Sequence, residues 1–218
     1  MARAMTESIW ISSEYGESLF HFIERKASRR KKLLISAEML VRFAEPIAAA
    51  DRPTSGDLAA AHGLILQEAE GAIPSAFMAV NHHVRVDKFI TAAVMGQADM
   101  LTRLIEESTG YRSPGQSTYL GSQDPEYGTR LWRSFADVVR DVIGNPFRSR
   151  FFPQHWRTSD ALGVARGIFE DQAFDRLPIL SDALMDAGCD NERIIVHCRD
   201  DSMHVRGCWV VDLVLGKS

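Results

Sequence analysis

Apolar residues return at steps of three and four along most of this chain, a period that suits helices packed on one face. Leu33, Ala37, Leu40, Ala44 and Ile47 make one such face, with Leu34 and Val41 beside it. Leu58, Ala61, Ile65 and Ala69 make a second, and Ile90, Val94, Gln97, Leu101 and Leu104 a third. The pattern resumes with Leu131, Phe135, Val138 and Val142, and again with Leu162, Ala165, Ile168 and Phe169. Ile179, Leu180, Ala183 and Leu184 carry it on, followed by Ile194, Ile195 and Cys198.

The punctuation agrees with the period. Ser28, Thr54 or Ser55, Asp87, one of Thr158, Ser159 or Asp160, and Asp190 stand where helices should start, as side-chain acceptors for unpaired N–H groups. Gly71, Gly188 and the run Gly144-Asn145-Pro146 stand where helices should stop. Residues 205–215 are almost wholly apolar; Val210, Val211 and Val214 would suit a strand, but no partner strand is evident, so a buried helix is expected. The reading is an all-α bundle of about eight helices. A polar stretch at 108–128, rich in Ser, Gly and Pro and carrying Tyr111, Tyr119 and Tyr127, breaks it into a helical region at 1–107 and a compact module at 129–218.

The chain has 218 residues and a net charge of −4, so it can build a core without staples and is no general polyanion binder. The N-terminus has no apolar leader, and no apolar run approaches the ~20 residues of a membrane span. Three cysteines without a CxxC pair fit a reduced, cytoplasmic protein. The cations Arg25, Lys26, Arg29, Arg30, Lys31 and Lys32 are the one basic run, with no aromatic residue among them. A solvated helix start explains them better than a nucleic-acid surface. The adjacent His82 and His83 would point ~100° apart on a helix, poorly placed to share a metal.

Chemistry-bearing residues crowd the end of the chain. Residues 189–215 hold all three cysteines, two histidines and Trp209. Cys189, Cys198, His204 and Cys208 offer three thiolates and an imidazole, a donor set suited to tetrahedral zinc, with His197 as a fifth donor. Their intervals of eight, five and three residues match no zinc-knuckle spacing, and both Cys198 and Cys208 lie among apolar residues. Zinc is the one cofactor these residues point to, and none is required. A thiol paired with His197 or His204 would make a nucleophile only in a cleft with an orienting group. The simplest reading is structural: His197, His204, Arg206 and Asp212 form a polar network, Trp209 anchors the last helix, and His197 with Arg199 caps the preceding one.

Three runs carry a family resemblance. GNPFR at 144–148, FDRLPILSDALMDAGC at 174–189 and HCRDDSMHVRGCWVVDLVLGK at 197–217 resemble a bacterial domain family of planctomycetes such as Gemmata, whose chains end in HCR…HVRGCWVVDLLLGK. MTESIW and KASRRKKLL, over about 5–45, resemble the start of the same proteins more loosely, and residues 46–130 depart from them. The family has no assigned activity, so the resemblance implies no catalytic residue. It implies a setting near immunity or interaction modules. The expectation is a non-catalytic cytoplasmic protein that binds another protein, with a metal- or Cys/His-dependent enzyme as the alternative.

Overall fold

The computed structural model of the chain describes residues 5–13, 19, 22–23, 26–42, 62–63, 65–67, 69–70 and 127–217. Most of these residues are helical, with no strand among them, and the chain is the expected all-α bundle. The first part of the helix expected from Thr54 or Ser55 through about Glu70, the helix expected at 87–107, the histidines at 82 and 83, the C-terminal end of the helix through Ile47, and residues 108–126 of the polar stretch lie outside the described residues; of the first of these helices, residues 62–63, 65–67 and 69 are described and helical. The chain divides into two compact units, 1–136 and 137–218. Among the described residues no helix is long and apolar enough to cross a membrane.

In the first unit, α1 (Glu7–Ser12) starts at Thr6, whose hydroxyl accepts the N–H of Ile9 at 3.3 Å. Trp10 is buried and meets the edge of Phe22. Ser28 starts α2 (Arg29–Arg42), its Oγ accepting the Lys31 N–H. Leu33, Leu34, Ile35, Ala37 and Met39 are all buried, so this helix is enclosed on several sides. Enclosure also decides the fate of the basic run: Lys31 is buried, and Arg30 pairs with Glu70 at 3.1 Å. Two of the four consecutive cations therefore face protein.

The second unit begins within α3 (Tyr127–Ile143), where Val138, Val139 and Val142 are buried. Gly144 ends α3 at φ +65°, and its N–H returns to the Arg140 carbonyl. An aromatic, basic crossing follows. The Asn145 side chain accepts the Phe147 N–H, and the Arg150 guanidinium donates to the Ile143 carbonyl. A 3₁₀ turn (Gln154–Trp156) leads to α4 (Ser159–Asp171). Of the three candidate caps for α4, Thr158 is the one used: it accepts the Ala161 N–H at 3.3 Å. Ala161, Ala165 and Ile168 face inward.

A second 3₁₀ turn (Phe174–Arg176) opens α5 (Leu177–Asp186), with Pro178 in its first turn where no N–H is missed. Two bonds close α5, from the Gly188 N–H to the Met185 carbonyl and from the Cys189 N–H to the Leu184 carbonyl, with Gly188 at φ +83°. This is the left-handed glycine cap that the sequence suggests. Helix α6 (Glu192–Arg199) starts after Asn191 rather than Asp190, and without a side-chain cap; the Asn191 carbonyl instead accepts from Ile194 and Ile195.

The last helix is α7 (Trp209–Leu215). It is a helix as expected, but it begins at Trp209, not Val205. Gly207 at φ +94° and a Cys208-to-Val205 backbone bond make residues 205–208 a turn. Gly216 closes α7 with the same bond pair as α5. Arg157 completes the end, donating from Nε to the Val214 carbonyl and from the guanidinium tip to the Leu213 carbonyl, both at 3.0 Å. A cation there also meets the negative end of the helix dipole. Helix α4 packs on α5 and α7, and α5 on α6. Ile168, Leu180, Leu184, Ile194, Cys198 and Val214 lie at the centre of this core.

Candidate metal centre

The last six residues of α3 place one acid inside the second unit. Asp141 sits three residues after Val138 and one before Val142, on the margin of the apolar face, and is 5% exposed. Both its oxygens are engaged. Oδ2 accepts the Val205 N–H at 2.8 Å. Oδ1 lies 2.7 Å from His204 Nδ1 and 3.3 Å from His197 Nε2. His197 Nε2 is also 3.2 Å from Cys208 Sγ. One donor atom from each of Asp141, His197, His204 and Cys208 lies within 4.8 Å of the others.

Each of these residues reaches the centre for a local reason. His197 lies in the last turn of α6, one residue before Cys198, and adjacent helical side chains point about 100° apart. Cys198 therefore enters the apolar core while His197 turns to Asp141. His204 is held from its far side, with Nε2 3.4 Å from the Asp200 carbonyl. Cys208 stands immediately before α7 and is fully buried. Trp209 is half-buried, its ring 5.1 Å from that of His197.

The expected zinc set is thus regrouped. His204 and Cys208 converge as two of its members, joined by His197 and by Asp141. Cys189 and Cys198 stay outside the donor group, in the apolar core with Leu184 and Ile194. The expected polar network is also redrawn. His204 bonds Asp141, while the Arg206 guanidinium covers the Phe169 ring at 4.5 Å. Lys217 covers the same ring at 4.1 Å. Asp212 is buried on α7, and its backbone carbonyl accepts the Lys217 N–H. Arg199 does not cap α6; it reaches α5, 2.8 Å from Asp182. Asp141 is the member that sequence reasoning missed. Its one signal is an acid on the margin of an otherwise apolar helical face.

Electrostatics set the protonation states. Burial alone would raise the Asp141 carboxyl, but hydrogen bonds from His197 and His204 outweigh it and hold the group below the usual carboxylate range. Burial alone would lower the His204 imidazole, but the bond to Asp141 outweighs it and holds the ring above its ordinary value. Burial pushes the Cys208 thiol well up, with Asp141 adding to it and the amides of Val210 and Val211 opposing. Cys198 is pushed up to about 12, first by burial.

These directions give a pH dependence for the protein kept in chelator. His204, raised on folding, contributes stability that is complete below the unfolded value of about 6.5 and is lost as pH rises through its folded value. Asp141, depressed on folding, contributes stability that is complete above about 3.9 and is lost as pH falls through its folded value. Melting temperatures should therefore peak between about pH 4 and about 6.5 and decline on the alkaline side. His204→Gln should flatten that decline; a decline of equal size in the variant would show that another group causes it.

Comparison of the chain with family models, with curated proteins and with solved structures returned no match.

Proposed function

We propose that the protein is a non-catalytic binding module that recognises a protein partner through the outer face of α5 and α6. One observation carries this reading: Ile179, Met185 and Val196 are 55%, 48% and 58% exposed on these two packed helices. The Arg199–Asp182 ion pair ties the helices together on that side, and Arg199 also reaches the Met185 sulfur. Apolar side chains framed by a charged pair are the usual make-up of a small recognition patch. Three free, buried thiols support a reducing compartment, and the cytoplasm is the compartment we assign. Placement in the planctomycete-type family belongs to the same proposal. It rests on the motifs at 144–148, 174–189 and 197–217, and an immunity-type role rests on that placement alone.

The alternative, a Cys/His-dependent enzyme, has the 3.2 Å contact of His197 with Cys208 in its favour. Its wiring is against it. A relay needs one imidazole nitrogen on the nucleophile and the other on the orienting acid. Here the same Nε2 faces both Cys208 and Asp141. The thiol is also buried and pushed up, the opposite of an activated cysteine.

A photo-crosslinking residue at Val196, introduced in cells, tests the proposal. A discrete adduct should form, and Ile179→Asp should abolish it while changing stability by no more than about 0.5 kcal/mol. Identical adducts from a probe at exposed Glu170 on α4 would sink the idea.

A further inference from the structure

We infer that Asp141, His197, His204 and Cys208 form a closed, four-coordinate site for a divalent ion of the zinc class. The four come from separate segments: Asp141 from α3, His197 from α6, His204 from the loop after it, and Cys208 from the turn before α7. A tetrahedral ion with nitrogen and oxygen ligands at ~2.0–2.1 Å sets neighbouring donors about 3.3 Å apart. The contact of His197 Nε2 with Asp141 Oδ1, at 3.3 Å, is an edge of that size. Cys208 Sγ, 3.2 Å from His197 Nε2, and His204 Nδ1, 2.7 Å from Asp141 Oδ1, stand closer than a bound ion with a sulfur ligand at ~2.3 Å would set them, so binding would move each of these pairs slightly apart.

The hydrogen-bond arithmetic around His204 points the same way. Its Nδ1 faces a carboxylate oxygen and its Nε2 faces the Asp200 carbonyl, so both nitrogens meet acceptors. A neutral imidazole has one N–H. Without an ion, the ring either carries two protons or leaves the 3.4 Å approach to Asp200 unpaired. With a cation on the Nδ1 side, Nε2–H donates to Asp200, the usual support of a metal-bound histidine by a backbone carbonyl. Asp141 is supported in the same manner, since Val205 occupies Oδ2 and leaves Oδ1 to face the other donors.

Charge and ligand type select the ion. A divalent cation with one carboxylate, one thiolate and two neutral imidazoles has no net charge, which suits buried surroundings. Calcium and magnesium are excluded by the nitrogen and sulfur donors, because they take oxygen ligands in larger number. The trigonal copper arrangement needs a weak, long axial fourth ligand. Here the carboxylate lies 3.3 Å from His197 Nε2, about as near as the thiol at 3.2 Å, so it is no distant fourth ligand. With four protein donors, three of them almost fully enclosed, the site leaves no position for a substrate.

The test uses the full-length protein, stripped with chelator and titrated with Co²⁺. One equivalent should bind, giving the visible absorption of tetrahedral cobalt and a near-ultraviolet thiolate-to-cobalt band, and Zn²⁺ should displace it. Cys208→Ser should abolish the thiolate band. His204→Ala should weaken Co²⁺ binding by at least roughly a hundredfold. Cys198→Ala, outside the donor group, should leave the spectrum as it is. X-ray absorption of the wild-type zinc form reads the ligand set without any substitution, so an unfolded variant does not stall the test. The inference is overturned if no stoichiometric ion binds, or if the bound ion lacks a sulfur ligand. It is equally overturned if the thiolate band survives Cys208→Ser. In those cases the cluster is an imidazolium–carboxylate pair beside a neutral thiol. Loss of the metal site would leave the α5–α6 recognition face untouched, since neither uses the other's residues.

Discussion

Asp141→Ala should destabilise the C-terminal unit by about 3–5 kcal/mol, the cost of removing one partner from a buried, hydrogen-bonded ionic group. The Asp141 carboxylate accepts the Val205 N–H and faces His204 and His197, and alanine answers none of them. A unit of this size has a total stability of only about 4–12 kcal/mol, so the variant should be near unfolding at ordinary temperature. Asp141→Asn separates shape from charge. It retains an oxygen for the Val205 amide and should cost about 1–3 kcal/mol. Urea titrations read by circular dichroism measure both. An alanine variant within about 1 kcal/mol of wild type would mean that the carboxylate is not the hub of the unit.

Gly144→Ala should cost about 2–5 kcal/mol, from two sources that add. The left-handed backbone at φ +65° costs a residue with a Cβ about 1–2 kcal/mol. The Cβ would also stand 2.8 Å from Trp209 Cγ and 3.0 Å from Cδ2, and overpacking of this kind costs about 1–3 kcal/mol. Trp209 cannot swing freely, because its ring lies against His197. The substitution should therefore alter tryptophan fluorescence as well as the urea midpoint. Gly163, on the exposed side of α4, is the control. A Cβ there meets nothing within 4 Å, and Gly163→Ala should stabilise by about 0.5–1 kcal/mol. Equal effects from the two substitutions would rule out the Trp209 contact as the cause.

Much of the helical layout was legible because its signals are local. Ser28 and Thr158 cap the helices that follow them, and Gly144 and Gly188 end helices in the left-handed conformation. A hydroxyl three residues from the N–H it accepts, or a glycine just past the last turn, needs no knowledge of the rest of the chain. The misplacements were also local. Asp190 and Asn191 are both capping residue types but neither side chain caps α6, so residue type misplaced its start by one, and the turn at Gly207 delays α7 within an apolar run.

The candidate centre was half legible. His204 and Cys208 stood out as donors near each other in the chain, and His197 as a further one. Asp141 did not, because it lies 63 residues from His204 and belongs to a helix marked by an apolar face that includes Phe135, Val138 and Val142. Cys189, Cys198 and Cys208 looked equivalent by residue type and all three belong to the apolar core, yet Cys208 alone of the three also meets His197 and joins the donor group.

The sequence by itself determined that this chain is helical and where several helices begin and end, since period, caps and glycine stops act within a few residues. Only the tertiary structure decided which of the donors meet. That depends on the direction of single side chains on four segments, and one step along a helix turns a side chain by about 100°. It is why His197 meets Asp141 while Cys198, its neighbour, does not join them.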